Sequence, residues 1–466
     1  MNNFLNSSLV FGLGFVFLRG VSFLLLPLYT NLLSTFDAGA VFIVYSTLAF
    51  LNPVYSFGMD AALFKFFNSE KHTTKTIIST SVLSVIVSSL VLSCLIYSVS
   101  WFCFPLMGLD YNWLSIVSII LFFDALSSRL LVVLRLLNMP LYYLGVGFIN
   151  IISSIVFNIL FIQYYSLGNK GAVFALASTA IIQFVFLIPV FLRHINWKFF
   201  NSSLGRQMFW FGIPFFPASI LFILTSVIDR FFVKHFMGLE EVGIYGAGYK
   251  IGSIVSIVVI AFNLTWQPYY LKRSKDKNFL LNIRLISQKF FIVLLYLATS
   301  ISLWSPQIVK INIQGHYIIG AAFWDAVNIV PWIAFGYFFY GLFILQMPTI
   351  YLKNKQKWSP FFWGSGALLN IILNYVLIPL LGIVGAAIST FISFLIMFLL
   401  IKYKNQQWMS LNFINRPLIG FFVLSFFIDS LMKSIGPFSW DSVLTFGIYS
   451  FIAVYFLFSK KVLCKQ

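Results

Sequence analysis

The sequence predicts an all-α membrane protein of about fourteen transmembrane helices, two six-helix bundles related by pseudo-two-fold symmetry followed by two C-terminal helices. Three observations lead there: an extreme apolar composition, basic loops whose alternation fits the helix count, and an internal repeat. Of 466 residues, 60% are hydrophobic, 9% are charged and 57 are Phe, and the mean hydropathy is +0.95. A water-soluble domain does not have this composition. The formal charge of +18 would suit nucleic acid only if it were gathered on a water-facing domain. No stretch is polar enough to fold as one, so no nucleic-acid partner is expected. Cys94, Cys103 and Cys464 lack metal-ligand spacing, and neither a disulfide framework nor a zinc site is expected. The start, "MNNFLNSSLVFGLGF", has no basic n-region and no A-x-A site, and its apolar run outlasts a signal peptide, so the first helix is expected to be retained.

Apolar windows of roughly 20 residues, enough to cross about 30 Å of hydrocarbon, recur from end to end. They fall at 8–33, 40–66, 76–101, 112–135, 141–165, 170–192, 208–234, 242–267, 288–309, 320–346, 358–378, 382–402, 415–433 and 440–459. With that count, one set of loops collects Lys65, Lys71, Lys75, Arg135, Arg193, Lys198, Arg206, the cluster from Lys272 to Lys289, Lys353, Lys355, Lys357, Lys402, Lys404, Arg416 and the C-terminal lysines. The opposite loops hold Lys170, Lys234, Lys310 and Lys433, with the acidic Asp37, Asp110, Glu240 and Glu241. One miscounted helix would scramble the alternation. The positive-inside rule then places both termini of a multi-pass membrane protein in the cytoplasm, and most of the charge is a topology signal. The loops are too short for an extramembrane catalytic domain, so an enzyme is not expected.

The repeat rests on two pairs of segments. "LSTFDAGAVFIVY" (33–45) aligns with "MGLEEVGIYGAGY" (237–249), matching Asp37 to Glu241, Gly39 to Gly243 and Tyr45 to Tyr249. "FNILFIQYYSLGNKGA" (157–172) aligns with "LNYVLIPLLGIVGA" (373–386), matching Asn158 to Asn374, Ile162 to Ile378 and, after a two-residue gap, Leu167-Gly168 to Leu381-Gly382 and Gly171-Ala172 to Gly385-Ala386. An even number of helices separates the copies, which makes the repeat parallel, with its axis along the membrane normal. The expected organisation is an N-terminal bundle over 1–200, a second over 201–405, and two additional helices with a tail over 406–466.

Ionisable residues inside the windows are costly in hydrocarbon and are functional candidates. They are Arg19, Arg129, Arg230 and Lys250 on the basic side and Asp60, Asp124 and Asp229 on the acidic side, with Asp325 near an outer end. Counting about 1.5 Å per residue puts Asp60 and Arg129 toward the cytoplasm, Arg19 and Asp124 near the middle, and Asp229, Arg230 and Lys250 toward the outside. Two readings are open: a cationic ladder for an anionic substrate, or mutual pairing of Asp60 with Arg129 and of Asp229 with Lys250. The first helix carries no carboxylate for Arg19. A diphosphate on a lipid carrier suits a mainly apolar path with sparse cations, because guanidinium forks grip phosphate oxygens in pairs. Trp210, Tyr249, Asn263, Trp266, Gln267 and Tyr337 are available for sugars, and Pro27, Pro53, Pro214, Pro217, Pro331 and Pro348 for kinks or hinges.

The spacing of Arg19, Pro27 and "PLYTNLL", together with "VIDRFFVKHFMGLEEVGIYGAGYKI" (227–251) and "LNYVLIPLLGIVGAAIST" (373–390), resembles the polysaccharide transporter branch of the multidrug/oligosaccharidyl-lipid/polysaccharide superfamily. Within that branch, these segments look like those of Wzx-type O-antigen flippases. The resemblance implies translocation of undecaprenyl-diphosphate-linked oligosaccharide from the cytoplasmic to the outer leaflet of the bacterial inner membrane. It also implies a cationic cavity between two six-helix halves and coupling to a proton or sodium gradient. Substrate contacts are then expected at Arg19, Arg129, Arg230 and Lys250, and ion coupling at Asp60, Asp124 and Asp229; Arg129 and Lys250 enter through their depth rather than through the family pattern. Membrane lipids and other polysaccharide-assembly proteins are the expected partners. The competing expectations are a multidrug or organic-cation exporter of the same superfamily and a membrane-embedded glycan polymerase or ligase, which would need a larger outer loop.

Overall fold

The computed structural model of the chain describes residues 20–21, 23–67, 71–107, 111–213, 215–435 and 440–459. The described residues are almost entirely helical: sixteen α-helices, short 3-10 and π turns, and one two-stranded hairpin. Nine helices among them are long and apolar enough to cross a membrane, and Arg416–Ser425 and Leu444–Phe458 add shorter apolar helices. Large side chains such as Leu141, Leu380 and Phe451 lie exposed along these helices, as expected where hydrocarbon rather than water is the solvent. The chain is a multi-pass helical membrane protein.

Contacts divide it into two units, residues 1–33 with 40–227, and residues 34–39 with 228–466. The first unit contains α1 (Leu26–Leu32), most of α2 (Thr35–Ser56), α3 (Met59–Phe67), α4 (Thr74–Met107), α5 (Tyr111–Leu136), α6 (Pro140–Asn158), α7 (Gly168–His194) and α8 (Ser202–Gly212), and the start of α9 (Phe215–Met237). Local chemistry sets the ends. Ser34 and Asp37 form a reciprocal cap at the start of α2, with Asp37 N–H donating to Ser34 Oγ at 3.0 Å and Ser34 Oγ donating to Asp37 Oδ2 at 2.9 Å. The run expected over 40–66 is broken where Phe57 and Gly58 adopt φ of 44° and 66°, just after Pro53 has withdrawn a backbone donor. Asn138 at φ 54° ends α5, and Pro140 opens α6 at a position that lacks a helical acceptor for its missing N–H. Asn201 caps α8 by accepting from Leu204 N at 3.0 Å. That helix packs on α3 and α4, and contacts group residues 202–212 with the first unit.

The second unit continues α9 and adds α10 (Leu239–Gly252), α11 (Ile254–Arg273), α12 (Phe279–Ile308), α13 (Val330–Leu352), α14 (Ser359–Trp408), α15 (Arg416–Ile435) and α16 (Trp440–Phe458). Its centre is α13, apolar on every side and buried along nearly its whole length, as a helix must be when its hydrophobic residues show no single face. Helices α10, α11, α12 and α14 pack around it, and α15 and α16 pack on α12. The windows 358–378 and 382–402 are two helical stretches of α14 separated by a sharp kink at Gly382, whose φ of 61° and ψ of −143° are not helical. Likewise the run 242–267 is interrupted at Ser253, where α10 gives way to α11.

The aligned segments share particular local features. Gly168 and Gly382, paired by the alignment, both take positive φ, 54° and 61°. A methyl group on Gly171 would collide with the Phe161 carbonyl, and one on Gly385 with the Leu377 carbonyl, which is the corresponding residue of the other copy. Asn158 and Asn374 are both fully buried, each donating to residue i−4 at 2.7 and 2.8 Å. The first pair of segments meets directly within the second unit. A methyl on Gly39 would strike the Leu239 carbonyl, and one on Gly243 would strike that of Thr35, so the contact is reciprocal.

Candidate functional site

In the first unit two features involve the expected charges. Asp60 occupies the first turn of α3, where a carboxylate complements the helix dipole. Arg129, on α5, is wholly buried, and its Nη1 donates to Asp60 Oδ1 at 2.5 Å. The Asp60 side chain remains 48% exposed while that of Arg129 is 0%. Nε and Nη2 of Arg129 are buried with no partner among the described residues. A fully buried guanidinium ordinarily satisfies its fork; here the carboxylate uses one arm and two N–H-bearing atoms remain available for an acceptor.

The first unit also holds a cavity of roughly 410 Å³, lined by Val21 and by residues of α2, α5, α6 and α7 that do not include Arg129. Three of these helices each contribute a polar pair spaced i, i+4: Asp124 and Ser128 from α5, Asn150 and Ser154 from α6, Thr179 and Gln183 from α7. That spacing puts both members of a pair on one helix face. Asn150 Nδ2 donates to Gln183 Oε1 at 2.5 Å, joining two of the faces. Tyr45 and Asn52 line the same space from α2. This hydroxyl- and amide-rich wall was not singled out by the sequence reading, although the recurrent i, i+4 polar pairs in the windows 112–135, 141–165 and 170–192 were its signal.

In the second unit Asp229 and Arg230 stand next to one another on α9. Asp229 Oδ1 accepts from Arg230 N at 2.8 Å and from Arg230 Nη1 at 3.1 Å, and Oδ2 accepts from Tyr245 Oη at 2.5 Å. The Arg230 guanidinium stacks over the Tyr249 ring at 3.9 Å, and Tyr249 shares a 2.7 Å hydroxyl contact with Tyr337 on α13. The Asp229 carboxylate is thus taken by Arg230 and Tyr245, and this replaces the pairing with Lys250 that the sequence had left open. Lys250 follows Tyr249 in the last turn of α10 and is half-buried. Of the other residues considered for sugars, Trp266 is buried with Nε1 lacking a partner among the described residues, Asn263 and Gln267 are half-buried, and Trp210 is 63% exposed. Arg19 and Pro214 lie outside the described residues.

Fold and sites together define a polytopic helical membrane protein with charged, hydrogen-bonding centres set among apolar helices. The chain belongs to the family of polysaccharide biosynthesis proteins, whose sequence profile matches residues 4–274. It is 23% identical over 268 residues to "Lsg locus putative protein 1" of Haemophilus influenzae, covering 54% of this chain and 62% of that protein. It is likewise 23% identical over 250 residues to the "Putative O-antigen transporter" of Shigella flexneri, covering 53% of this chain and 58% of that one. The aligned region therefore spans about three fifths of the length of these two relatives. Among solved structures, the fold resembles the lipid II flippase MurJ in an inward closed conformation, with a TM-score of 0.70 and 17% identity over 96% of this chain and 98% of that one. It also resembles an inward-facing multidrug resistance MATE transporter of the MOP superfamily, with a TM-score of 0.62 and 13% identity over 90% and 95% of the two chains.

Proposed function

We propose that this protein is a flippase that carries undecaprenyl-diphosphate-linked oligosaccharide, an O-antigen or similar repeat unit, from the cytoplasmic to the outer leaflet of the bacterial inner membrane. It does so by alternating access of two halves and acts as a transporter rather than an enzyme. The observation that carries the reading is Arg129, a guanidinium sealed among apolar helices with two of its nitrogen atoms unpartnered among the described residues. Phosphate oxygens complete such a fork, and membership in the polysaccharide biosynthesis family supports a glycan carried on that phosphate. Arg19, Arg230 and Lys250 supply the remaining positive potential, the stacked Arg230 through rearrangement of its bond to Asp229. Asp60, Asp124 and Asp229 couple transport to a proton or sodium gradient. Fourteen crossings with both termini in the cytoplasm and a parallel pseudo-two-fold repeat complete the reading, and the matched geometry of Gly168 with Gly382 and of Gly171 with Gly385 supports the repeat.

The test is complementation. In a strain lacking its own flippase, the wild-type chain restores surface polysaccharide, Arg129→Ala and Arg19→Ala do not, and Arg129→Lys restores part because charge survives without the fork. Normal polysaccharide with Arg129→Ala would remove the substrate role. A second reading, a multidrug or organic-cation exporter, is favoured by one observation, the carboxylate of Asp124 on the wall of an amide-rich cavity. Drug resistance that depends on Asp124, without restored polysaccharide, would establish it instead.

A further inference from the structure

The segment 409–415, which joins α14 to α15, has no regular secondary structure and leaves the helix in an extended conformation at Met409. Its residues alternate: Leu411 and Phe413 are buried, while Ser410 and Asn412 are exposed, the two-residue period of an extended chain with one face on a core. Side chains of α13 hold it in place. Thr349 Oγ1 donates to the Met409 carbonyl at 3.2 Å, and Gln346 Nε2 to the Leu411 carbonyl at 3.4 Å.

Between this segment and the beginning of α12 lies a cavity of roughly 340 Å³, whose polar lining is Arg284, Ser410 and Asn412 and whose apolar lining includes Leu280, Leu281 and Phe413. Arg284 Nε is a buried atom with no partner among the described residues. No carboxylate among the described residues pairs with it: residues 272–289 contain six cations and a single carboxylate, Asp276, and that carboxylate is bonded to Arg273 at 3.3 Å. Leu280 and Leu281, one turn before Arg284, are 54% and 51% exposed. A guanidinium, a hydroxyl and an amide thus converge beside an open apolar ledge at the end of a membrane-spanning helix, within the most basic stretch of the chain.

We propose that this cavity binds the phosphate of an anionic phospholipid headgroup. Arg284 supplies the charge, Ser410 and Asn412 supply neutral hydrogen-bond donors, and Leu280 and Leu281 meet the start of the acyl chains. Basic pockets at the water boundary of helical membrane proteins recognise lipid by this combination of charge and adjacent hydrocarbon. A free phosphate would use the cation but gain nothing from the leucines. The bound lipid closes the seam between α12 and the segment leading into α15 and α16, a role separate from any translocated substrate.

Native mass spectrometry of the full chain tests this with phosphatidylglycerol, phosphatidylethanolamine and inorganic phosphate as probes, on the wild type and on Arg284→Ala, Arg284→Lys and Asn412→Leu. The wild type retains phosphatidylglycerol in preference to phosphatidylethanolamine. Arg284→Ala weakens that binding roughly tenfold, as expected for loss of one charge-assisted contact, Arg284→Lys weakens it less, and Asn412→Leu, at an exposed position, weakens it without disturbing the core. Equal retention of the two lipids by the wild type, or an undiminished preference in both Arg284→Ala and Asn412→Leu, would overturn the proposal. So would displacement of phosphatidylglycerol by inorganic phosphate at equal concentration, which would make the site one for a free anion. Because the readout is lipid retention, failure here leaves the flippase reading untouched, and the reverse also holds.

Discussion

Replacing Asp60 by Asn removes the charge that faces Arg129 while keeping nearly the same shape. Arg129 is wholly buried, so the change leaves a guanidinium with no opposing charge in contact with it. Removing one partner of a buried pair costs about 3–5 kcal/mol. The Asp60 side chain is 48% exposed, so water shares the solvation of the pair and the expected loss falls toward about 2–3 kcal/mol. Arg129→Met removes the buried charge together with its desolvation penalty, and the carboxylate left behind is already half in water, so its cost is expected near 1 kcal/mol. The double variant Asp60→Asn/Arg129→Met is then more stable than Asp60→Asn alone, with a coupling of about 2 kcal/mol in the cycle. Reversible unfolding of the purified protein in mixed micelles with increasing SDS measures all four free energies. If Asp60→Asn costs less than about 0.5 kcal/mol, or the two changes add without coupling, the guanidinium is not held by this carboxylate and the reasoning from burial fails.

Three further outcomes follow from the same geometry. Gly39→Ala and Gly243→Ala each drive a methyl into a backbone carbonyl of the other repeat copy, so thermal stability in detergent should fall by similar amounts, and a loss in only one would contradict the reciprocal contact. Asp124→Asn should abolish the dependence of transport on whichever of a proton or sodium gradient drives it, while Asp229→Asn and Tyr245→Phe, which dismantle a bonded cluster, should lower stability as well; indifference of wild-type transport to both gradients would leave these residues structural. Single cysteines at Lys275 and Lys355 should react with a membrane-impermeant thiol reagent only in inverted vesicles, and one at Ile313 only from outside the cell.

Much of the fold was legible because hydrocarbon imposes a single length scale on apolar helices. Where the expected helices and the structure part, the cause is local backbone chemistry that hydropathy averages away: the turn at Phe57 and Gly58 inside one apolar window and the break at Ser253 inside another. The glycines that the alignment pairs, Gly39 with Gly243 and Gly171 with Gly385, are residues where side chains are forbidden, since each faces a carbonyl too close for a methyl group. The site was legible in part. Rarity of charge pointed to Arg129 and Asp60, and their pairing stood among the alternatives. Neighbouring residues on a helix do not normally face each other, and so the bond from Arg230 back to Asp229, completed by a tyrosine sixteen residues on, was not foreseeable from spacing. The polar wall around Asp124 was present as i, i+4 pairs but was obscured by attention to charge alone.

The central claim is that the Arg129 fork exists for a phosphate-bearing lipid rather than for stability. Arg129→Met separates the two, since with Asp60 already 48% exposed it is expected to keep its fold at a cost of about 1 kcal/mol while lacking the guanidinium. Reconstituted into vesicles with fluorescent undecaprenyl-diphosphate oligosaccharide, it should fold and translocate nothing, whereas the wild type moves the lipid across the bilayer. Translocation by this variant at the wild-type rate would contradict the account.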